Sequence, residues 1–387
     1  MNSFQIHNPT KLIFGKGCLS SIPSELSAYG TRVLLLYGGG SIIRNGLYYQ
    51  VIDQLKELNA SIVEFGGVEP NPRLTTVYRG IQLIKEYKLD IILAVGGGSV
   101  IDCAKAIAAG SLYEGDVWDI VIGKVTPVTA LPIGTVLTLA ATGSEMNGNS
   151  VITNWEKNCK RYFSSIHVYP KFSILDPEWT FSVPRDQTVY GIVDIMSHVF
   201  EQYFHAAESA PLQERIGEAI LRTVMETAPM LVNDLNNYDY RATMLLNGTH
   251  ALNGLLAMGE RTDWATHEIE QAVSAIYDIP HGGGLAILFP NWMEHVATTK
   301  PEKIAQLGVR VFNLAKEGKS DTQLAGETIA RLRTFWTSIG APASLSDYDI
   351  DDKEIDLMVE SAMAAPTIGS YVPLMADDVR AILRKSL

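Results

Sequence analysis

The chain has few cysteines and few charged residues, and it contains no long hydrophobic run. Only three of its 387 residues are cysteine, and charged residues make up 19%. Single, scattered cysteines argue against a disulfide framework and favour a reducing compartment. No stretch approaches the roughly 20 apolar residues that a membrane span needs, and the start of the chain does not resemble a signal peptide. We therefore expect a soluble, cytoplasmic protein with no membrane partner.

The sequence also lacks an excess of basic residues and has no low-complexity tract. Its net charge of −12 at pH 7 argues against nucleic acid or an anionic membrane as the main partner. With 47% hydrophobic residues over 387 positions, the chain is long enough to form two packed domains. The composition therefore excludes a disordered protein and favours a globular one.

The first half of the chain alternates apolar strands with amphipathic helices. The predicted elements are strands 32–37, 61–65, 91–95 and 129–133, and helices 46–59 and 75–88. Continuous apolar strands separated by helices are typical of a parallel sheet covered on both faces. Helical patterns dominate after about Pro184. We predict an α/β dinucleotide-binding domain over residues 1–180 and an all-helical domain over residues 181–387.

A glycine-rich turn, Gly96-Gly97-Gly98-Ser99, directly follows the third predicted strand and opens a helix. Free N–H groups at a helix N-terminus bind phosphate, and glycines let a pyrophosphate approach the backbone. Asp102 and Lys105 lie one and two turns into this helix. The segment matches neither the G-x-G-x-x-G fingerprint nor a Walker sequence. A cofactor phosphate site and a plain tight connection both fit it, and we favour the phosphate site.

An earlier turn, Gly38-Gly39-Gly40-Ser41, is followed by Arg44. In dinucleotide-binding folds an acidic residue near the end of an early strand holds the ribose hydroxyls and repels a 2′-phosphate. No acidic residue lies between Leu34 and Asn45. The turn therefore predicts NADP(H) in preference to NAD(H), with Ser41 and Arg44 near the 2′-phosphate. The alternative is that Arg44 is a solvated surface charge.

A hydroxyl-rich loop between two apolar runs contains Thr138, Thr142 and Ser144. Such a loop can line a cofactor cleft. Hydroxyl-rich loops also often serve only to cap helices, so this stretch alone decides little.

Four residues in the second half have the chemistry of metal ligands: Asp194, His198, His267 and His281. The first two are four apart on an apolar helical stretch, which places both on one helix face. His267 lies in a second helical stretch with Asp263 available as a cap, and His281 follows a turn whose glycines would let backbone approach a bound group. One carboxylate and three imidazoles suit a first-row divalent ion.

Each candidate ligand also has a structural alternative. A histidine on an apolar helix face is often a core residue with its hydrogen bonds satisfied, and Asp194 has Arg185 and Arg215 as possible ion-pair partners. Four such residues at these spacings occur together by chance much less often than any one of them alone.

Together these segments resemble the iron-dependent (group III) alcohol dehydrogenase family. The resemblance rests on Gly96–Asp102, Ala141–Glu145, the Asp194/His198 pair and His267 with Pro280-His281-Gly282, and it runs over essentially the whole chain. Two further segments, 14–17 and 65–72, resemble the NADPH-dependent butanol dehydrogenase and broad-range aldehyde reductase branch.

The resemblance implies a Rossmann-like N-terminal domain, a helical C-terminal domain of the dehydroquinate synthase-like fold, and a catalytic cleft between them. It implies one iron or zinc ion held by the four candidate ligands. It also implies cofactor contacts from Gly96, Gly97, Gly98, Ser99, Asp102, Thr138, Leu139, Ser144 and Lys160. The motifs themselves add Gly38, Gly39, Gly40, Ser41, Arg44 and Thr142 to the predicted cofactor residues. Relatives pair as homodimers through an N-terminal strand, here Phe4–Ile6.

The chain departs from the family at Gln271, where many relatives carry a second histidine one turn after the third ligand. Glutamine can orient a hydroxyl or a water, but it cannot shuttle protons as histidine does. Metal binding is unaffected by this departure, whereas a proton relay through this position is not expected.

The predicted function is reversible hydride transfer between NADP(H) and small aliphatic aldehydes or primary alcohols, with the ion as a Lewis acid on the carbonyl oxygen. Two alternatives remain open at this point. One is a glycerol dehydrogenase or a dehydroquinate synthase-like enzyme, and the other is a non-catalytic NADP-binding sensor that uses the metal only for structure.

Overall fold

The structure is a computed structural model that describes residues 2–207 and 209–387. Two compact units emerge from it. The α/β unit comprises His7–Pro184 and Asp234–Asn253, and the helical unit comprises residues 2–6, Arg185–Asn233 and Gly254–Leu387. The domain boundary near residue 180 stays a prediction, and each unit is described by itself below.

Eight strands occur in the described chain: β1 (Lys11–Phe14), β2 (Arg32–Gly38), β3 (Ser61–Val68), β4 (Ile91–Gly96), β5 (Ile133–Leu137), β6 (Asn149–Asn154), β7 (Cys159–Ser164) and β8 (Phe172–Leu175). Six of them form a sheet in the order β1-β8-β5-β4-β2-β3, and each neighbouring pair in that sheet is parallel. The strands β6 and β7 form a separate antiparallel hairpin.

The α-helices in the described chain are α1 (Ile22–Leu26), α2 (Ser41–Arg44), α3 (Leu47–Glu57), α4 (Leu74–Tyr87), α5 (Gly98–Ser111), α6 (Val117–Val121), α7 (Arg185–Tyr203), α8 (Pro211–Asn233), α9 (Tyr238–Ala251), α10 (Ala265–Tyr277), α11 (His281–Ala297), α12 (Glu302–Arg310), α13 (Asp321–Ile339), α14 (Ile355–Ala362) and α15 (Ala376–Ser386). None of the helices in the described ranges combines the length and apolar character needed to cross a membrane.

The central strands β2 and β4 are apolar on both faces because both faces of the sheet are covered. Leu34 and Ile92 point into one core cluster, whereas Leu35 and Leu93 point into the cluster on the opposite face. Successive side chains of a strand alternate between faces, so a strand buried on both sides reads as a continuous apolar run. The predicted parallel sheet with helices on both faces is confirmed, as is the Rossmann-like fold class.

The strand predicted over residues 129–133 is wrong, since β5 covers Ile133–Leu137 instead. Pro132 lacks the N–H that a central strand needs, and it contributes only its carbonyl, which accepts from the Ile92 N–H at 3.1 Å. The strand that does form contains Gly134, where a Cβ atom would collide with the Phe172 ring of β8. Close packing against an aromatic ring, which the pattern did not reveal, thus explains a glycine in a central strand.

In the helical unit, α7 packs against α8 and α11, and α11 also packs against α10 and α13. A group of mutually packed aromatic rings joins α7 to α11: Phe200, Phe204, Phe289 and Trp292. The two helices are thereby fixed in a buried environment, which sets the positions of the residues along them.

Candidate metal centre and cofactor site

The four predicted metal ligands lie in the helical unit. Ligand atoms of Asp194, His267 and His281 all lie within 4.8 Å of one another, and His198 lies beside Asp194. Asp194 and His198 are one turn apart on α7, His267 lies in the first turn of α10, and His281 is the first residue of α11. The Asp194 Oδ1 atom lies 3.6 Å from His198 Nε2, 3.9 Å from His267 Nε2 and 3.6 Å from His281 Nε2. These distances exceed normal hydrogen bonds. They are close to the roughly 3.3 Å that separates donor atoms sharing one ion at about 2 Å.

The chemistry of this site fits a divalent cation. Asp194 Oδ1 and His267 Nε2 are buried and form no hydrogen bond with any described residue. Leaving a buried carboxylate oxygen and a ring nitrogen without partners costs free energy, whereas coordination of one cation would satisfy both. The alternative ion pair with Arg215 does not form, because that guanidinium bonds Glu218 at 2.9 Å.

Electrostatics in the site agree with this assignment. Burial alone would raise the pKa of Asp194, but His198 and the other two imidazoles hold it well below its usual value. Burial lowers the pKa of His267, but Asp194 and Glu201 outweigh it and raise that pKa to about 9. The carboxylates thus create a negative potential at the ring nitrogens, and such a potential favours a bound cation.

Two carboxylates that the sequence analysis missed bind the Nδ1 atoms of His267 and His281. Glu201 Oε1 lies 2.8 Å from His267 Nδ1, and Glu270 Oε2 contacts His281 Nδ1. Both glutamates are fully buried. Each glutamate binds a histidine of a different helix, so sequence spacing gave no signal for either contact.

Asp263, the predicted cap of α10, lies one residue before the N-cap position. Asp263 Oδ1 accepts from the Ala265 N–H at 3.0 Å, and its Oδ2 accepts from the backbone N–H groups of Ser370 and Tyr371. The N-cap position itself is occupied by Trp264, which adopts a left-handed conformation. Gln271 lies one turn after His267 on the same helix and is buried.

The glycines after His281 serve a purpose other than the predicted one. A Cβ atom at Gly282 would collide with the backbone carbonyl of Tyr190 on α7, and one at Gly283 would collide with the Tyr348 hydroxyl. The expectation that this turn lets backbone approach a bound group is therefore corrected. The glycines let the first turn of α11 pack directly on α7, which brings His281 to Asp194.

In the α/β unit, the Gly96–Ser99 turn and the hydroxyl-rich loop lie side by side. The Thr138 N–H donates to the Gly96 carbonyl at 3.0 Å. A Cβ atom at Gly97 would come within 3.3 Å of Leu139, and one at Gly98 would collide with Thr142. These residues, predicted separately from the sequence, thus form one surface where β4 ends and α5 begins.

Asp102, Lys105 and Ser144 form a buried network beneath this surface. Ser144 donates to Asp102 Oδ1 at 2.5 Å, and Lys105 Nζ donates to Ser144 at 2.8 Å and to Asn147 Oδ1 at 3.0 Å. Burial raises the pKa of Asp102 and lowers that of Lys105 to about 8. In the structure these side chains bind one another and the neighbouring loop, so a cofactor contact for Asp102 and Ser144 stays a prediction.

The other predicted cofactor residues occupy two further places in the α/β unit. Gly40 has a φ of 88° and is the N-cap of α2, in which Ser41 and Arg44 are exposed. Lys160 on β7 is buried and donates to Asn71 Oδ1 at 2.8 Å. Nucleotide binding at both places stays a prediction.

Comparison with known families decides where the chain belongs. Residues 9–177 match the family model described as iron-containing alcohol dehydrogenase, and residues 188–387 match that of the Fe-containing alcohol dehydrogenase family, C-terminal. The chain belongs to the iron-containing alcohol dehydrogenase family. The predicted membership is thus confirmed, and the protein is an oxidoreductase of the alcohol dehydrogenase and aldehyde reductase type.

Individual members of the iron-containing alcohol dehydrogenase family match over nearly the full length. The chain is 59% identical over 387 residues to the probable NADH-dependent butanol dehydrogenase 1 of Bacillus subtilis, covering 100% of both. It is 39% identical to the NADPH-dependent aldehyde reductase YqhD of Escherichia coli, over 93% of this chain and 92% of that protein. The crystal structure of NADH-dependent butanol dehydrogenase A from Thermotoga maritima superposes with a TM-score of 0.95 at 43% identity, covering 100% of this chain and 99% of that one.

Proposed function

We propose that the protein catalyses reversible hydride transfer between NADP(H) and small aliphatic aldehydes or primary alcohols, with one iron or zinc ion held by Asp194, His198, His267 and His281. The observation that carries this proposal is the buried cluster in which Asp194 Oδ1 and His267 Nε2 form no hydrogen bond with any described residue. A purely structural cluster would satisfy these atoms within the protein.

A divalent ion in this site would supply Lewis-acid polarisation of the aldehyde oxygen. The protein side chains determine access to it, because the Asp194 and His267 side chains are 4% and 6% exposed whereas His281 is 26% exposed. Substrate therefore approaches from the His281 side. Gln271 is a polar helper that orients the hydroxyl or a water, and it does not relay protons.

The reaction balances without a protein nucleophile. A hydride moves from the nicotinamide C4 to the carbonyl carbon, and a proton from water completes the hydroxyl group. The products are a primary alcohol and the oxidised cofactor, and the reverse reaction returns both electrons to the nicotinamide.

The preference for NADP(H) rests on the turn after β2. No acidic residue lies between Leu34 and Asn45 to repel a 2′-phosphate, and the exposed Ser41 and Arg44 are available to bind one. The names of the relatives point both ways, since the Bacillus protein is called NADH-dependent and the Escherichia reductase NADPH-dependent. A direct comparison of the two cofactors therefore has to decide this part of the proposal.

The remaining cofactor contacts are proposed for residues at the end of β4, in the adjoining loop and on β7: Gly96, Gly97, Gly98, Ser99, Asp102, Thr138, Leu139, Thr142, Ser144 and Lys160. The adjacency of the Gly96–Ser99 turn and the loop at Leu139 and Thr142 supports this assignment. The turn leads into the N-terminus of α5, whose first N–H groups are the proposed phosphate donors.

We further propose that the protein is a homodimer that pairs through residues 4–6. Phe4 and Ile6 lie two residues apart and are 48% and 51% exposed, so both are available to a partner chain. Within the described residues this segment is not assigned to a strand. Light scattering should give twice the mass of one chain, and a Phe4→Glu/Ile6→Glu variant should be monomeric.

The test of the proposed reaction is NADPH oxidation with butanal as purified, after chelation, and after addition of ferrous iron or zinc, with NADH in parallel. We expect activity that chelation abolishes, that one metal restores, and that is at least tenfold stronger with NADPH. Activity that survives complete removal of metal would contradict the metal assignment, and equal or better activity with NADH would contradict the cofactor preference.

A further inference from the structure

Glu201 contacts α10 at three points. Its Oε1 atom accepts from the His267 backbone N–H at 3.0 Å and lies 2.8 Å from His267 Nδ1, while its Oε2 accepts from the Trp264 N–H at 2.7 Å. Trp264 and His267 are the N-cap and third residues of α10. Since tryptophan has no side-chain oxygen, Glu201 on α7 provides the capping acceptor that the N-cap residue lacks.

Glu270 makes a simpler set of contacts. Its Oε2 atom contacts His281 Nδ1, and its Oε1 accepts from the Ser274 hydroxyl one turn further along α10. Glu270 lies inside α10, four residues after Thr266 and four before Ser274. Glu201 and Glu270 thus share one contact type, a carboxylate on a histidine Nδ1, and Glu201 in addition accepts from two backbone N–H groups at the start of α10.

The carboxylate contact determines which ring nitrogen carries the proton in His267 and in His281. An ionised carboxylate only accepts hydrogen bonds, so the Nδ1 atoms of His267 and His281 carry their protons. In the neutral imidazole the lone pair then lies on Nε2, which is the atom that faces Asp194 in both residues. The ring of His198 stacks on that of His267 with centroids 4.9 Å apart, so the orientation of His267 also constrains His198.

We propose that Glu201 and Glu270 are positioning residues that hold His267 and His281 in the tautomer and orientation required to bind the metal. This inference rests on the proposed metal site. Both glutamates contact Nδ1, whereas the Nε2 atoms face Asp194, so their role is to position the rings. Outer carboxylates of this kind raise the basicity of the ligand ring and fix its direction.

The test is the affinity of the full-length protein for Co²⁺, measured by competition with a chelator, together with the visible spectrum of the bound ion. Glu201→Gln and Glu270→Gln keep the side-chain shape and remove the charge. We expect each to bind Co²⁺ about 10- to 100-fold more weakly, with shifted d–d bands. Because Glu201 also caps α10, Glu201→Gln should in addition lower the melting temperature of the metal-free protein.

Glu218→Gln is the matched control. Glu218 is a buried carboxylate of the same unit, and it pairs with Arg215 and Arg310 at 2.9 and 3.0 Å. Its substitution should lower the melting temperature and leave both the Co²⁺ affinity and the spectrum unchanged. Should Glu201→Gln fail to fold, Glu270→Gln tests the same contact at His281.

The outcomes separate this inference from the metal site itself. Wild-type protein that binds no Co²⁺, or an Asp194→Ala variant that binds it normally, overturns the metal site. If Asp194→Ala loses the ion while a glutamate variant binds it within twofold of wild type, with an unchanged spectrum, the positioning role of that glutamate is wrong.

Discussion

The two units of this protein each bury a group of charged side chains, and the two groups differ in how they are satisfied. In the α/β unit, Asp102 and Lys105 are joined through Ser144, and Asn147 accepts a further bond from the lysine. In the helical unit, Asp194 Oδ1 and His267 Nε2 are equally buried and form no hydrogen bond with the described residues.

This difference separates a charged group that is satisfied within the protein from the candidate cation site. A buried polar group without a partner costs about 1–3 kcal/mol, and more when it is charged. The α/β network avoids that cost through its own side chains, so it needs no added cation. In the Asp194 cluster a bound cation would remove that cost, and Glu201 and Glu270 bind the Nδ1 atoms of its histidines.

The largest expected effect is loss of turnover when the cluster loses its carboxylate. Asp194→Ala should lower kcat/KM for butanal by about 10³-fold or more, because the ion would be lost together with its several kcal/mol of transition-state stabilisation. Steady-state assays with NADPH measure this, and circular dichroism checks that the variant is folded. Turnover within tenfold of wild type would contradict the assignment.

Breaking the satisfied network should affect stability instead of metal binding. Lys105→Met leaves Asp102 buried without its cation and should destabilise the protein by about 3–5 kcal/mol. Denaturant unfolding measures the loss, with the exposed Lys85→Met on α4 as the control. An unchanged unfolding midpoint, or a loss of bound metal from folded protein, would break the distinction between the two groups.

A third buried carboxylate, Asp263, makes the stability of the helical unit depend on pH. Its oxygens accept from the backbone N–H groups of Ala265, Ser370 and Tyr371. Burial and the nearby Glu201 raise its pKa to about 7. Between its ordinary pKa and this value the folded state binds more protons than the unfolded state. The contribution of Asp263 is therefore fully present below about pH 4 and lost as the pH rises through about 7.

Relative to Asp263→Asn, wild-type protein should lose about 3 kcal/mol of stability between pH 4 and pH 7. Unfolding experiments in the presence of a chelator measure this difference without a contribution from bound metal. Parallel pH profiles for the two proteins would show that Asp263 does not titrate in this window.

The smallest expected effect concerns the close approach of α11 to α7. Gly282→Ala forces a methyl group against the Tyr190 carbonyl and should cost about 1–3 kcal/mol, with weaker metal binding through displacement of His281. Gly326→Ala on α13 is the matched control, because a Cβ atom there meets nothing within 4 Å. That control should be neutral or stabilising by up to about 1 kcal/mol. Equal effects of the two substitutions would remove the packing explanation.

Much of the fold could be predicted because β2, β4 and α4 carry strong local signals. The strand predicted over 32–37 is Arg32–Gly38 in the structure, and the helix predicted over 75–88 is Leu74–Tyr87. A continuous apolar run that ends in glycine determined the strand, and helical spacing of apolar residues determined the helix. The strand predicted over 129–133 was wrong because the backbone limits of Pro132 outweighed its apolar neighbours.

The candidate site was predictable where residue type and spacing were enough, as for Asp194 and His198 on one helix face. Glu201 and Glu270 could not be distinguished from solvated surface carboxylates until the packing of α7, α10 and α11 showed both to be buried behind histidines. The role of the glycines after His281 was misread for the same reason. Their collisions with Tyr190 and Tyr348 arise only between helices that are distant in sequence.

The most direct test of the central claim is a Zn²⁺ titration of metal-free protein, comparing wild type with Asp194→Ala and Lys105→Met. We predict one tightly bound ion per chain in the wild type and in folded Lys105→Met, and none in Asp194→Ala. Unchanged stoichiometry and affinity in Asp194→Ala would contradict the account, because the buried cluster would then not be the metal site.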